Sequence, residues 1–272
     1  RYVAERGRAI AIVGFGFPIA EGILPPLITI GLTITHWQNI WIVLGACVAV
    51  TLLPAIPFLL KRTGNQDGHG AEGLVRHDTA RQQWTRREML RDKRFFMVAP
   101  LMMTMSAIFT GLIFHQKFII GTAKGWDFLW WSICFAGFAV CQVAGSFIAG
   151  WLVDKVSARC ITPYVLLPFA LSITLLGLGT SEAWALVILS AMGLSAGATN
   201  PTFSSLWAEF YGTEHLGAIR AAGAVLSVFA SALGPVVVGW ALDVGVSVLT
   251  LTSTSVAITL STSMLSAAAV RK

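Results

Sequence analysis

Charge is what this chain has least of. Only 12% of its residues are Asp, Glu, Lys or Arg, against roughly a quarter in a soluble globular domain. With 56% hydrophobic residues and a mean hydropathy of +0.74, the composition excludes an ordinary water-soluble domain. Cysteine is scarce too. Cys47, Cys134, Cys141 and Cys160 lie within or at the ends of apolar runs with no C-x-x-C spacing, so neither a disulfide framework nor a zinc site is expected, and the thiols read as inert. Histidines 36, 69, 77, 115 and 215 are scattered, and no pair has metal-ligand spacing. A membrane-embedded enzyme needs His, Asp, Glu or Cys clustered near one membrane face, so no catalytic residue, metal or cofactor is expected.

What the chain does have is long hydrophobic runs. Eight stretches, near 9–34, 40–60, 95–117, 128–152, 160–180, 183–206, 219–242 and 248–270, approach the ~20 apolar residues needed to cross about 30 Å of hydrocarbon. Backbone polar groups cannot be left open in lipid, and these continuous runs lack the alternation of barrel strands. The expected class is therefore an all-α polytopic membrane protein. Walking through eight helices places Arg1, Arg6, Arg8, the basic residues of segment 61–94, Lys155, Arg159, Arg220, Arg271 and Lys272 on one side, leaving Lys117 and Lys124 on the other. The positive-inside rule makes the first side cytoplasmic and puts both termini there, in an integral protein of the cytoplasmic (plasma) membrane. The net charge of +6 then follows from topology and calls for no nucleic-acid partner; the lipid bilayer is the partner. Trp37, Trp41, Trp126, Trp130, Trp131, Trp151, Trp184, Trp207 and Trp240 fall near predicted helix ends, as indoles at headgroup level should.

Residues 61–94 form the one long polar insertion and read as a cytoplasmic linker dividing two helices (1–60) from six (95–272). Within it, Thr85-Arg86-Arg87-Glu88 has capping-box spacing, which predicts a short surface helix running to Lys93. A weak internal repeat relates Tyr2, Glu5, Gly7 and Arg8, before the first helix, to Tyr211, Glu214, Gly217 and Arg220, before the seventh. Transporters are often built from such duplicated bundles. If the positions are equivalent, the full protein has twelve helices, and this chain holds the fifth to the twelfth.

The run Gly150-Trp-Leu152-Val-Asp154-Lys155-Val-Ser157-Ala-Arg159 resembles the signature G-x-L-x-D-R/K-x-G-x-R/K of the major facilitator superfamily, in its second-half copy between helices eight and nine, with Ser157 in place of the usual glycine. The segment Glu5-Arg6-Gly7-Arg8 is similar to that family's loop between helices four and five, and Phe114-His115-Gln116 to the outer end of helix seven. The likeness is in particular to monocarboxylate-transporter-like and anion-symporter-like bacterial members. The resemblance implies two six-helix bundles, with 1–60 as the end of the first, 95–272 as the whole of the second, and a cavity between them. It also implies a gating loop of Gly150, Asp154, Lys155 and Arg159, in which Asp154 pairs with Arg159 or caps a helix, and a cytoplasmic loop motif of Glu5, Arg6, Arg8, Glu214 and Arg220. The helix-five signature of drug–proton antiporters, G-x-x-x-G-P, is absent: Gly16, Gly22, Pro25 and Pro26 do not fit it.

Glu21 stands in a run that is otherwise apolar, small or Thr from Ala9 to Leu32. A carboxylate at mid-membrane costs on the order of 2.5–3.5 kcal/mol on insertion scales, so it should face a cavity or a partner. Under the carried-over architecture, the candidates for substrate or proton coupling are Glu21, His115, Gln116, Gln142 and Asn200. Asn200-Pro201 is expected to break its helix and free carbonyls toward the cavity, and Gly193-x-x-x-Gly197, and likewise Gly145 with Gly150, to be close-packing faces. No Arg or Lys is expected deep in any helix. The leading reading is a secondary transporter working by alternating access, such as a symporter, coupled to an ion or to protons, with a small organic anion as its substrate. Export of hydrophobic compounds is the alternative, followed by a sensor that keeps the fold without transporting.

Overall fold

The computed structural model describes residues 16–63 and 83–270; Glu5, Arg6 and Arg8 and most of the linker lie outside them. In chain order come α1 (Gly16–Ile34), α2 (Trp37–Thr63), α3 (Arg86–Met89), α4 (Lys93–Phe114), a π-helical turn (Lys117–Ala123), α5 (Phe128–Ile133) and α6 (Phe135–Val156). Then follow α7 (Ala158–Ile161), a 3₁₀ turn (Thr162–Tyr164), α8 (Leu167–Leu178), α9 (Trp184–Tyr211), α10 (Leu216–Asp243) and α11 (Val248–Val270). No strand occurs among the described residues.

Seven stretches are long and apolar enough to cross a membrane: Gly16–Ile34, Trp37–Pro54, Lys93–Phe114, Phe128–Val156, Ala158–Leu178, Leu216–Asp243 and Val248–Val270. The eighth expected span, 183–206, folds as α9, which is 28 residues long but is not among the seven. Its composition explains the difference. Ser190, Ser195, Thr199, Asn200, Thr202, Ser204 and Ser205 dilute its apolar content, and it lies between α6 and α8 rather than against lipid on every side. The span expected at 160–180 starts earlier and is stepped, because Pro163 and Pro168 each open a new helical segment where their missing N–H costs nothing. The helix expected over 85–93 is only one turn long. Its capping box forms as predicted, but the chain breaks at Leu90–Asp92, and Asp92 starts α4 by accepting from the Arg94 amide at 3.0 Å.

Apolar burial does not drive helices together in lipid; close backbone approach and hydrogen bonds do. The most extensive pairing, α6 with α9, follows that rule. A Cβ on Gly145, Gly193 or Gly197 would overlap the carbonyl of Leu194, Phe138 or Gln142 respectively, so Gly193, Gly197 and Gly145 form a packing face as expected; Gly150, where a Cβ would meet nothing within 4 Å, does not share in it, which corrects that part of the expectation. The α4–α10 pair is built alike, with Gly234 pressed on the Ala107 carbonyl.

Both seams contain a proline, and in both the consequence is met from the neighbouring helix. Pro201 and Pro235 lack the N–H that would bond the carbonyls of Gly197 and Ser231, four residues earlier. Ser146 Oγ, from α6, donates to Gly197 O at 2.9 Å, and Thr110 Oγ1, from α4, shares its one proton between Ser231 O at 3.0 Å and Ser106 O of its own helix at 2.6 Å. The expectation that Asn200-Pro201 breaks its helix and frees carbonyls toward a cavity is thus corrected. The helix runs through to Tyr211, and the freed carbonyl is turned into a seam and satisfied there.

The last helix, α11, packs on α4 and α8 through a stripe of small polar residues: Thr252, Ser255, Thr259, Ser263 and Ser266 are buried. All but Ser263 donate to carbonyls of their own helix three or four residues back. The stripe therefore permits close approach without bridging helices. At the other end of the chain, α1 packs on α5 and α6. Gly22 sits against Ala139, and Thr29 Oγ1 lies 2.8 Å from Ser132 Oγ. In turn, α2 packs on α1, and none of its described residues is buried.

Candidate functional site

Between α4, α9 and α10 lies a cavity of about 450 Å³, within the range of small-molecule sites. Helix α4 contributes Met102, Met105 and Ser106; α9 contributes Thr199, Asn200, Phe203, Ser204 and Trp207; α10 contributes Gly217, Arg220, Ala221, Ala224 and Ser227. Hydroxyls and one amide surround a single guanidinium, with Phe203, Trp207 and the two methionines as the apolar wall. Arg220 forms no ion pair among the described residues, and its helix places it on the second turn of α10.

Of the five coupling candidates, only Asn200 lines this cavity. Glu21 and Gln142 lie elsewhere, on α1 and α6, which pack on each other. One oxygen of each, Glu21 Oε2 and Gln142 Oε1, is buried without a partner. His115 ends α4, with its Nε2 3.0 Å from Pro235 O. Gln116 Oε1 accepts from Trp131 Nε1 at 2.9 Å. These last two side chains tie the end of the bundle together and stand away from the cavity. At that end Lys124 Nζ donates to Gly179 O at 2.8 Å, closing α8, and lies over the Trp126 ring at 4.9 Å. Burial pushes the Lys124 ammonium below the ordinary lysine value.

At the opposite end is the loop Gly150–Arg159. Arg159 does not pair with Asp154, which is exposed; it pairs with Glu209, near the end of α9. The guanidinium Nε stands 3.7 Å from the carboxylate, and Nη2 donates to Glu209 O at 3.0 Å. The helix-capping role expected of Asp154 falls to Ser157, whose Oγ accepts from Arg159 N at 3.3 Å. The same carboxylate accepts from Ser157 Oγ at 2.7 Å and from Ala158 N at 2.8 Å. Ser157 has φ +102°, the one non-glycine residue with positive φ among those described. That backbone shape is why the signature carries glycine here, and the Glu209 contact holds the serine in it. Lys155 lies over the Trp151 ring at 4.1 Å.

Arg159 and Arg94 both sit over the Phe210 ring, at 4.8 and 5.5 Å. Next to it, Trp207 and Tyr211 stack at 6.0 Å, and Trp84 N donates to Tyr211 O at 3.0 Å. Glu214, from the loop motif, donates its backbone N–H to Gln83 Oε1 at 3.1 Å, so the end of the linker is fastened beside the cavity. Trp207, Trp131 and Trp126 are buried, which corrects their reading as headgroup residues. Cys134 is also buried, and all four thiols are free.

Two residues escaped the sequence reading. Arg220, taken there only as a loop residue, lines the cavity from the second turn of α10. Glu209 went unremarked, although a carboxylate in the last turn of a helix opposes the helix dipole and needs a cationic partner. That opposition was the available signal.

These helices, seams and loop define a polytopic helical membrane protein of transporter architecture. The chain belongs to the Major Facilitator Superfamily, whose model matches residues 2–235, and members of that family are secondary transporters. Comparison with the curated proteins and with the solved structures finds no match.

Proposed function

We propose that this is a secondary active transporter of small organic anions, coupled to protons and working by alternating access, with the end of the bundle that carries Arg94 and Arg159 facing the cytoplasm. In this reading α9 is the eighth membrane-crossing helix. The stretches 16–34 and 37–63 are the fifth and sixth of twelve helices, and 93–270 forms the second bundle. The observation that carries the substrate class is Arg220, a guanidinium with no ion pair among the described residues, on the wall of a 450 Å³ cavity. A guanidinium fork matches a carboxylate through two parallel hydrogen bonds, while Asn200, Ser106 and Ser204 supply further donors to it. Phe203 and Trp207 would cover the apolar body of the same molecule. The loop around Asp154, Lys155 and Arg159, docked on Glu209, is the cytoplasmic latch that must release as the bundles rock.

Binding of small carboxylates, set beside their uncharged amides and beside hydrophobic cations, tests this reading. Carboxylates should raise the melting temperature of the purified full-length protein and their amides should not, and Arg220→Ala should remove the effect. Stabilisation by hydrophobic compounds regardless of Arg220 would favour the exporter reading instead.

A further inference from the structure

A second cavity, of about 610 Å³, lies where α3 leads into α4 and α11 ends. Its charged lining is Glu88 and Asp92 against Arg91, Lys93 and Arg94, so three basic residues less two acidic ones leave +1. Both acids are already committed. The Glu88 carboxylate accepts from the Thr85 amide and hydroxyl at 2.7 and 2.8 Å. Asp92 caps α4: Oδ1 accepts from the Arg94 amide at 3.0 Å, and Oδ2 stands 3.2 Å from Arg94 Nε. Arg91 and Lys93 are exposed and form no ion pair among the described residues. Two cations therefore line one cavity with no carboxylate paired to either.

The depth of the cavity narrows what can fill it. Helix α4 crosses with 22 residues, about 33 Å at 1.5 Å per residue, which matches a hydrocarbon core of roughly 30 Å. Its first residue, Lys93, thus stands at the boundary of the hydrocarbon. The same holds for α11, whose 23 residues end at Val270, one residue beyond Ala269 in the cavity wall. The cavity is therefore at headgroup level. Trp84, also in the wall, places an indole at the level such rings favour. Met97 follows Lys93 by one helical turn on the same face and, with Ala269, makes the wall apolar toward the bilayer. Next to it Phe96 is exposed. A ligand that satisfies both parts has an anionic head and an apolar tail.

We propose that this cavity binds one anionic phospholipid, its phosphodiester held by Arg91 and Lys93 and its acyl chains leaving past Met97 and Ala269 into the bilayer. A phosphodiester carries one negative charge, the complement of the +1 lining. The Arg91 fork takes two phosphate oxygens in parallel, and the Lys93 ammonium acts as a point charge on the same group. Occupancy also bears on the linker. Trp84 N donates to Tyr211 O at 3.0 Å, and Gln83 Oε1 accepts from Glu214 N at 3.1 Å, so a lipid against Trp84 braces the linker end on the turn between α9 and α10. The cytoplasmic leaflet supplies this lipid in the orientation proposed above; the site itself does not depend on which way the bundle faces.

Lipid titrations of the full-length protein in neutral detergent, read by native mass spectrometry, test the site without a transport substrate. The probes are dioleoyl phosphatidylglycerol, dioleoyl phosphatidylcholine with the same chains, and glycerophosphoglycerol, the headgroup without chains. Phosphatidylglycerol should bind more tightly than either of the others. Arg91→Ala with Lys93→Ala should weaken its binding about tenfold or more. Arg86→Ala with Arg87→Ala removes the same charge from exposed residues of the neighbouring turn outside the cavity, and should leave binding within about twofold of wild type. Hydrogen exchange at the Trp84 amide should slow when phosphatidylglycerol is added, in the wild type and not in the Arg91/Lys93 variant. Equal weakening by the two double variants would mean diffuse surface charge and overturn the site. Binding indifferent to Arg91 and Lys93, or phosphatidylcholine bound as tightly, would also overturn it. Glycerophosphoglycerol binding as tightly as the lipid would overturn the lipid assignment in favour of a soluble phosphodiester.

Discussion

Arg159 and Glu209, fifty residues apart, are joined twice: side chain to side chain at 3.7 Å, and guanidinium to backbone carbonyl at 3.0 Å. Together with the Ser157 and Ala158 contacts, this makes Glu209 the centre of the signature loop. Replacing Glu209 by Gln keeps acceptor capacity but removes the charge, and replacing it by Ala leaves Ser157 in a strained conformation without its holder. We expect Glu209→Ala to raise hydrogen exchange across 157–161 more than Glu209→Gln does. Ser157→Val, with no hydroxyl and a β-branched side chain at φ +102°, should cost about 1–3 kcal/mol. Ser157→Gly should be close to neutral, because backbone relief offsets the lost hydrogen bond. Melting temperatures in detergent check these values.

The glycine seam predicts a sharp positional contrast. Gly197→Val, which drives a side chain into the Gln142 carbonyl, should destabilise by about 1–3 kcal/mol or more, as overpacking does. A Cβ at Gly150 meets nothing within 4 Å, so Gly150→Ala should leave the melting temperature unchanged.

The two proline-freed carbonyls lend themselves to a double-mutant cycle. Thr110→Val should cost about 1–2 kcal/mol, the worth of an interhelical hydrogen bond in a membrane. Pro235→Ala restores an N–H for Ser231 O, so its effect should be more favourable in the Thr110→Val background than in the wild type. Additive effects would mean that the hydroxyl and the carbonyl do not depend on each other.

Acid should act on the linker end through Glu88. Its carboxylate accepts from the Thr85 amide at 2.7 Å and the Thr85 hydroxyl at 2.8 Å, which holds its pKa below the ordinary carboxylate value. A lowered folded-state pKa means that the contribution is present above the unfolded pKa and is lost as pH falls through the folded one. Amide protection at 85–88 should therefore drop on acidification through that window, and Glu88→Gln should abolish the dependence.

Much of this fold was legible because membrane spans announce themselves by uninterrupted apolar length. The exception, α9, is instructive: its Ser, Thr and Asn residues serve contacts with α6 and the cavity, so a helix that walls the cavity falls short of the hydropathy of a membrane span. The capping box at Thr85 and Glu88 and the Gly193–Gly197 face were readable because they are local patterns. Long-range choices were not, since nothing in a chain says that Arg159 prefers Glu209 over the nearer Asp154, or that Trp207 turns inward to a cavity rather than outward to headgroups. Glu21 was conspicuous from its setting alone, whereas the packing of its helix on α6 needed two helices brought together.

The account stands or falls on coupled transport. In proteoliposomes of the full-length protein, an imposed proton gradient should drive accumulation of a small labelled carboxylate. Arg220→Ala should abolish uptake, and Glu21→Gln should allow equilibration without accumulation. Gradient-driven accumulation by Glu21→Gln equal to that of the wild type, or uptake indifferent to Arg220, would contradict it.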